Sequence, residues 1–226
     1  MSLQPARCVG GRQESIDCVV THDNTGGVTP RLGVAPVRRE QIVHATIRRL
    51  ARDGASGLRM KAIAREARVS QGILHYYFTN KRGILIAALE TVVADLDRRL
   101  AARLHGAPDA PARLRAVVRG CLGLAEENRE FWVVFVEFWG EMMHDPELLR
   151  VNAALYHQFR RALGALVADG VRAGLFRRVE PEEAGAIILA LVDGIALQRT
   201  FDRKAFTLER ATRFCEDAIT RYLARR

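Results

Sequence analysis

The stretch LRMKAIAREARVSQGILHYYFTNK, residues 58–81, decides the fold of this 226-residue chain. Met60, Ile63, Ala64 and Ala67 recur at the three- and four-residue spacing of one helical face, which predicts a short helix over about 60–67. Arg68-Val69-Ser70 breaks that period and reads as a turn. A second short helix follows over about 71–77, with Ile73 and Leu74 expected inward. Thr79-Asn80 then caps a long helix carrying Leu85, Leu89, Val92, Leu96 and Leu100 on one side. Two short helices joined by a tight turn form a helix-turn-helix. Such a unit can push one helix into the DNA major groove, which admits a helix and displays a distinct donor–acceptor pattern for each base pair. Ile63, Ala64, Val69, Ile73 and Leu74 would hold the pair together, leaving Ser70, Gln71, His75 and Tyr76 to face outward.

On the N-terminal side, Val43, Ile47 and Leu50 mark a helix over about 37–52, stopped by Asp53-Gly54, with five arginines off its apolar stripe. Residues 1–36 hold five Gly and three Pro with no helical or strand period, and are expected to be a disordered leader. On the C-terminal side, Gly106, Pro108 and Pro111 punctuate the chain. Helices are then expected over about 109–128 and 129–144, from Asp145-Pro146-Glu147 to Gly174, from Glu180 onward, and from Thr207 to the end. No stretch alternates with period two. The class is all-α, with about nine helices.

Charge is uneven. Residues 37–105 hold 14 basic and 6 acidic residues, while the segments on either side are near neutral, so this block carries almost all of the net +9. A basic module beside a neutral one is expected where one module meets a polyanion, although a solvated basic surface gives the same count. No run approaches about 20 uninterrupted apolar residues, and no signal-peptide layout opens the chain, so a cytoplasmic protein is expected. Cys8, Cys18, Cys121 and Cys215 are scattered, against a disulfide framework or zinc ribbon.

Residues 38–90 resemble the N-terminal domain of the tetracycline-repressor (TetR) family of bacterial transcriptional regulators. The resemblance rests on Ile63-Ala64, on Ala67 through Gly72, and on Tyr76-Tyr77-Phe78-Thr79-Asn80-Lys81 followed by Leu85. It implies a DNA-binding domain over 37–82 and an effector-binding and dimerisation domain over 83–226. It also implies a repressor released from a palindromic operator by a small molecule. Carried over by position, Ser70, Gln71 and His75 would face bases or phosphates, and Gly72 would let the backbone approach the duplex. Tyr76 and Tyr77 would present hydroxyls, and Lys81 would bind a phosphate. For His75 and Tyr77, packing remains a second reading. Two positions depart from the pattern. Arg59 stands where a Thr often caps the second helix, and offers a charged phosphate contact instead. Arg68 stands where Gly is common in the turn, at a cost of about 1 kcal/mol if that position needs positive φ. Further along, Phe131-Trp132, Trp139, Asp145-Pro146 and Leu191-Val192-Asp193-Gly194 are similar to the BetI-like branch, known for choline-responsive repression.

The helix after Glu180 is apolar nearly all round, from Ile187 to Leu197, and needs cover on every side. With the stripe Ala211, Phe214, Cys215, Ala218, Ile219 and Tyr222 it suits a homodimer interface through the last two helices, or two interior helices of a monomer. Trp132, Phe135, Phe138 and Trp139, with Glu137 and Glu141, are candidates for an effector cage, since aromatic faces and a carboxylate attract a quaternary ammonium. The same stripe also suits plain core. An enzyme is not expected. The single Glu141-Met142-Met143-His144 motif lacks the second copy a di-iron site needs, and no cofactor, metal or nucleophile motif stands out. A helical small-molecule binder or scaffold without DNA-binding activity is the alternative.

Overall fold

The computed structural model of the chain describes residues 35–225. Of the expected leader, residues 1–34 lie outside the described residues, as do Cys8 and Cys18, while residues 35 and 36 already belong to the first helix. The described residues form nine helices and no strand. These are α1 (Ala35–Asp53), α2 (Met60–Glu66), α3 (Gln71–Tyr77), α4 (Lys81–Leu104), α5 (Ala110–Glu127), α6 (Arg129–Met142), α7 (Pro146–Arg172), α8 (Pro181–Phe201) and α9 (Leu208–Leu223).

Their starts follow local hydrogen-bond chemistry, because a helix leaves its first N–H groups without intrahelical partners. Asn80 accepts from the Gly83 N–H at 3.0 Å, Asp109 from Ala112 at 2.7 Å, and Thr207 from Arg210 at 3.2 Å. Asp145 accepts from both Glu147 and Leu148 ahead of a Pro at the first helical position. Gly54 closes α1 with φ +68°, a left-handed conformation that a Cβ would strain.

Two apolar clusters organise the molecule. The first gathers α1 to α4 and extends without a break into Leu124, Val134, Phe138, Leu148 and Leu155. The core therefore runs across the expected boundary at residues 82–83. Phe138 is fully enclosed within it, so Phe138→Ala would cost about 3–5 kcal/mol. The second cluster joins α5, α7, α8 and α9, with Trp132 of α6, around Val167, Ile188, Ala211 and Cys215.

The α7–α8 crossing depends on two glycines. A Cβ on Gly185 would lie 2.3 Å from the Arg160 carbonyl oxygen, and one on Gly164 would lie 2.6 Å from that of Pro181. Contacts this close let the helix backbones meet directly. By length and composition, α8 is long and apolar enough to cross a membrane, with mean hydropathy 1.5 over an 18-residue window. A search for uninterrupted apolar runs misses it, because Asp193 stands in its middle. Here the helix is packed along α7, with Asp193 accepting a hydrogen bond from the Tyr156 hydroxyl at 2.8 Å.

Candidate DNA-reading surface and effector cavity

The α2–α3 turn is a Schellman-type cap. The Val69 N–H donates to the Ala64 carbonyl at 2.9 Å and the Arg68 N–H to that of Arg65 at 3.1 Å. Arg68 takes φ +53°, so the position does need the strained conformation for which Gly is common there. Arg59 precedes α2 and makes no side-chain cap, so its guanidinium is left to solvent. Ser70 caps α3 by accepting from the Ile73 N–H at 3.2 Å, which leaves its hydroxyl proton available to an external acceptor.

Leu74 is the one residue of α3 fully buried, and it fixes which face looks out. Gln71, Gly72, Ile73, His75 and Tyr76 are exposed, and Tyr77 is half-buried with its ring edge-on to Tyr76 at 5.0 Å. Ile73 is therefore not an inward residue. On a helix of seven residues, the neighbours 73 and 74 stand about 100° apart, and only one can face the core. A Cβ on Gly72 would meet nothing nearer than the Ser70 hydroxyl oxygen at 3.8 Å. Nothing inside the protein thus requires glycine there.

Charge on this surface is sorted by partner. Arg48 and Arg52 are turned toward Glu66, at 3.5 and 3.0 Å, and Arg39 lies over the Phe78 ring at 5.3 Å. Arg59, Lys61, Arg65 and Arg68 are exposed on α2 and the turn. Lys61 and Arg65 were not singled out in the sequence, where only charge marks them.

Lys81 lies apart from that set. Its Nζ donates to the Ala55 carbonyl at 2.9 Å and pairs with Glu141 at 3.1 Å. Beside it, the Glu137 carboxylate accepts from the Ala55 N–H at 2.7 Å and lies 3.4 Å from where a Gly54 Cβ would be. Arg82 pairs with Asp145 at 2.6 Å and Glu147 at 3.0 Å. These contacts tie the α1–α2 corner and the start of α4 to α6 and α7.

Glu137 and Glu141 therefore do not serve an aromatic cage, nor does Phe138. On α6, residues 132, 135 and 139 share one face, whereas 134, 137, 138 and 141 share another. Trp132, Phe135 and Trp139 do line a cavity, of about 270 Å³, between α4, α5, α6, α7 and α8. Trp132 and Trp139 meet edge-on at 6.3 Å, and Trp139 is 6.5 Å from the Tyr156 ring. The side chain of Phe131 lies outside the described residues. The cavity carboxylates are Asp97 of α4 and Asp193 of α8, with Cys121 nearby. Burial of Asp193, and partial desolvation of the more exposed Asp97, raise both carboxyls above the usual carboxylate range, the Tyr156 hydrogen bond holding Asp193 back in part. Burial, reinforced by the Asp193 charge, pushes the Cys121 thiol up to about 12 and keeps it unionised. Among the described residues, no Lys, Arg or His lines this cavity and no cluster of metal-ligating side chains occurs.

Residues 42–88 match the family described as bacterial regulatory proteins, tetR family, and residues 110–224 match the C-terminal domain of BetI-type transcriptional repressors. The BetI regulator of Escherichia coli K12 is 32% identical over 200 residues, covering 86% of this chain and 98% of the relative. That of Burkholderia thailandensis is 32% identical over 198 residues, covering 87% and 99%. The chain belongs to the TetR family. Its C-terminal domain is of the BetI type. Among solved structures, a transcriptional regulator from Saccharomonospora viridis in complex with choline superposes with TM-score 0.76 at 26% identity, covering 84% of this chain and all of that one. The transcriptional regulator FadR from Bacillus subtilis, in complex with stearoyl-CoA, shares the fold with TM-score 0.70 at 18% identity.

This TetR-family chain is a DNA-binding transcriptional regulator and not an enzyme, which decides against the scaffold alternative. Its aromatic cavity residues were legible in the sequence. The place of its carboxylates in the cavity was not, since Asp97 and Asp193 come from helices remote in the chain.

Proposed function

We propose that the chain acts in the cytoplasm as a homodimeric repressor, paired through α8 and α9, and leaves a palindromic operator when a small cation enters the α4–α8 cavity. The observation that carries this reading is one chain holding both an exposed α3, pinned chiefly by Leu74, and a desolvated carboxylate in an aromatic cavity. Residues 37–82 serve as the reading head, and 83–226 hold the effector and the partner. Gln71 reads a base edge; Ser70, Gly72, His75, Tyr76 and Tyr77 meet the duplex around it. Arg59 and Lys81 bind phosphates. Apolar surface left bare on one protomer supports pairing: Ile187 is 47% exposed, Phe201 78% and Phe214 39%.

The effector's charge follows from Asp193. A carboxylate in an apolar cavity is costly to ionise, and a cation entering beside it relieves that cost while its face-on contacts with Trp132 and Trp139 add to the attraction. The choline bound by the Saccharomonospora regulator supports this class of ligand. The test is fluorescence anisotropy on a duplex selected from a random pool, titrated with salt and then with choline. Steep salt dependence and release by choline or a related cation are expected. Absence of any salt-sensitive binding would refute the DNA assignment, and operator binding indifferent to every cation would refute the effector.

A further inference from the structure

The cavity is larger than a compact quaternary ammonium ion needs, and its chemistry changes along its length. An apolar cavity of about 150 Å³ is filled by benzene, with six heavy atoms. At that ratio the cavity of about 270 Å³ corresponds to roughly eleven heavy atoms. Choline falls short of that by about four heavy atoms. The lining is polar and aromatic where Tyr156 meets Asp193 and Trp139. Leu166, ten residues further along α7, lies about 15 Å away down the helix axis and also lines the cavity. On α4 the lining likewise passes from Asp97 to Leu104, about 10 Å on.

We propose that the effector is an amphiphilic cation: an ammonium head against Asp193 and the aromatic rings, with an aliphatic arm directed toward Leu104 and Leu166. The proposal rests on the reading of this cavity as the effector site and names the ligand class it takes. A neutral amphiphile would leave the Asp193 charge uncompensated. A fatty acid would add a third carboxylate to those of Asp97 and Asp193, with no cationic lining residue to offset any of them. A short cation would leave the aliphatic end to water or to empty space.

The experiment is a calorimetric titration of the full chain with tetramethylammonium, choline, and butyl-, hexyl- and octyltrimethylammonium, each below its micelle concentration. Octanol and octanoate serve as matched controls. Affinity should rise about threefold to fourfold per methylene over the first several carbons and then level off where the arm reaches the cavity's end. Octanol and octanoate should bind at least tenfold more weakly than the octyl cation. Leu166→Trp, which fills the aliphatic end, should shorten the longest arm accepted, with the thermal midpoint as the check on folding. Tight binding of choline with no gain from a longer arm would overturn the amphiphile while leaving the cation reading intact. Preference for octanol or octanoate would overturn both. So would silence toward every ligand by a protein that still binds DNA.

Discussion

Neutralising Glu141 should strengthen DNA binding, although the residue lies on the effector-domain side of the molecule. Lys81 offers three N–H donors, of which one goes to the Ala55 carbonyl and one to Glu141. A phosphate reaching Nζ must either take the third proton against the Glu141 charge or displace Glu141 altogether. In both cases Glu141 opposes the phosphate. Lys81 and Glu141 are about one-third exposed, 34% and 33%, so their pairing is worth the modest energy of a surface ion pair, about 0.5 kcal/mol. A dimer holds two such pairs, so Glu141→Gln should tighten operator binding by about 1 kcal/mol, or roughly fivefold. Anisotropy at fixed salt measures it. Glu130→Gln, an exposed carboxylate on the same helix, corrects for the bare change in charge. The refuting result is Glu141→Gln binding no better than Glu130→Gln while Lys81→Ala still weakens binding. Lys81 would then act by holding the α1–α2 corner and not by touching DNA.

Replacing single operator thymines by uracil should weaken wild-type binding a few-fold at one symmetric pair of positions, where the exposed Ile73 meets the 5-methyl group, and should change nothing in Ile73→Ala. Methyl sensitivity that persists in Ile73→Ala would remove that contact. Gly185→Ala sets a Cβ 2.3 Å from a backbone oxygen and should cost about 3 kcal/mol, lowering the calorimetric midpoint by roughly 6–12 °C. Gly140→Ala, with nothing within 4 Å, should be neutral or stabilising. Asp193 gives a pH prediction with two signs. Its raised carboxyl takes up a proton more readily in the folded chain, so cation affinity should fall with acidification at a higher pH than an ordinary Asp would give. The stability of the empty protein should fall as pH rises through the same interval, and Asp193→Asn should raise its midpoint by a few degrees while weakening cation binding. Unchanged cation affinity across that range would place the head elsewhere.

Much of the architecture was legible because helix ends are local chemistry. Asp109, Asp145 and Thr207 cap the helices expected from them, and Arg68 adopts the positive φ its place in the turn implies. Ile73 misled because apolarity was read without asking how many residues of a short helix can face one core. Glu137 and Glu141 misled because nearness in sequence to Trp132 and Trp139 stood in for nearness in space. Helical period alone separates the two sets, so the signal was present. Asp97 carried no such signal, and Asp193 stood out only as part of the BetI-like stretch Leu191 to Gly194, since only the folding of α4 and α8 against α6 brings the two to the tryptophans.

The two faces of α6 have a mechanical consequence. One face carries Trp132, Phe135 and Trp139 into the cavity, and the other carries Glu137 and Glu141 onto the α1–α2 corner and Lys81. A cation that moves α6 by pressing on Trp139 acts on a helix whose opposite side is hydrogen-bonded to the base of the reading head. A tenfold change in operator affinity needs only about 1.4 kcal/mol of such coupling, less than the 1.5–3 kcal/mol typical of one hydrogen bond to a charged group. The Glu137–Ala55 bond, charge-assisted and 2.7 Å long, is therefore sufficient by itself to carry the signal if the two ligand states make it unequally. Glu137→Gln, which keeps the acceptor and removes the charge, should reduce the factor by which cations weaken operator binding more than it reduces cation affinity. Equal loss in both would assign Glu137 to stability alone.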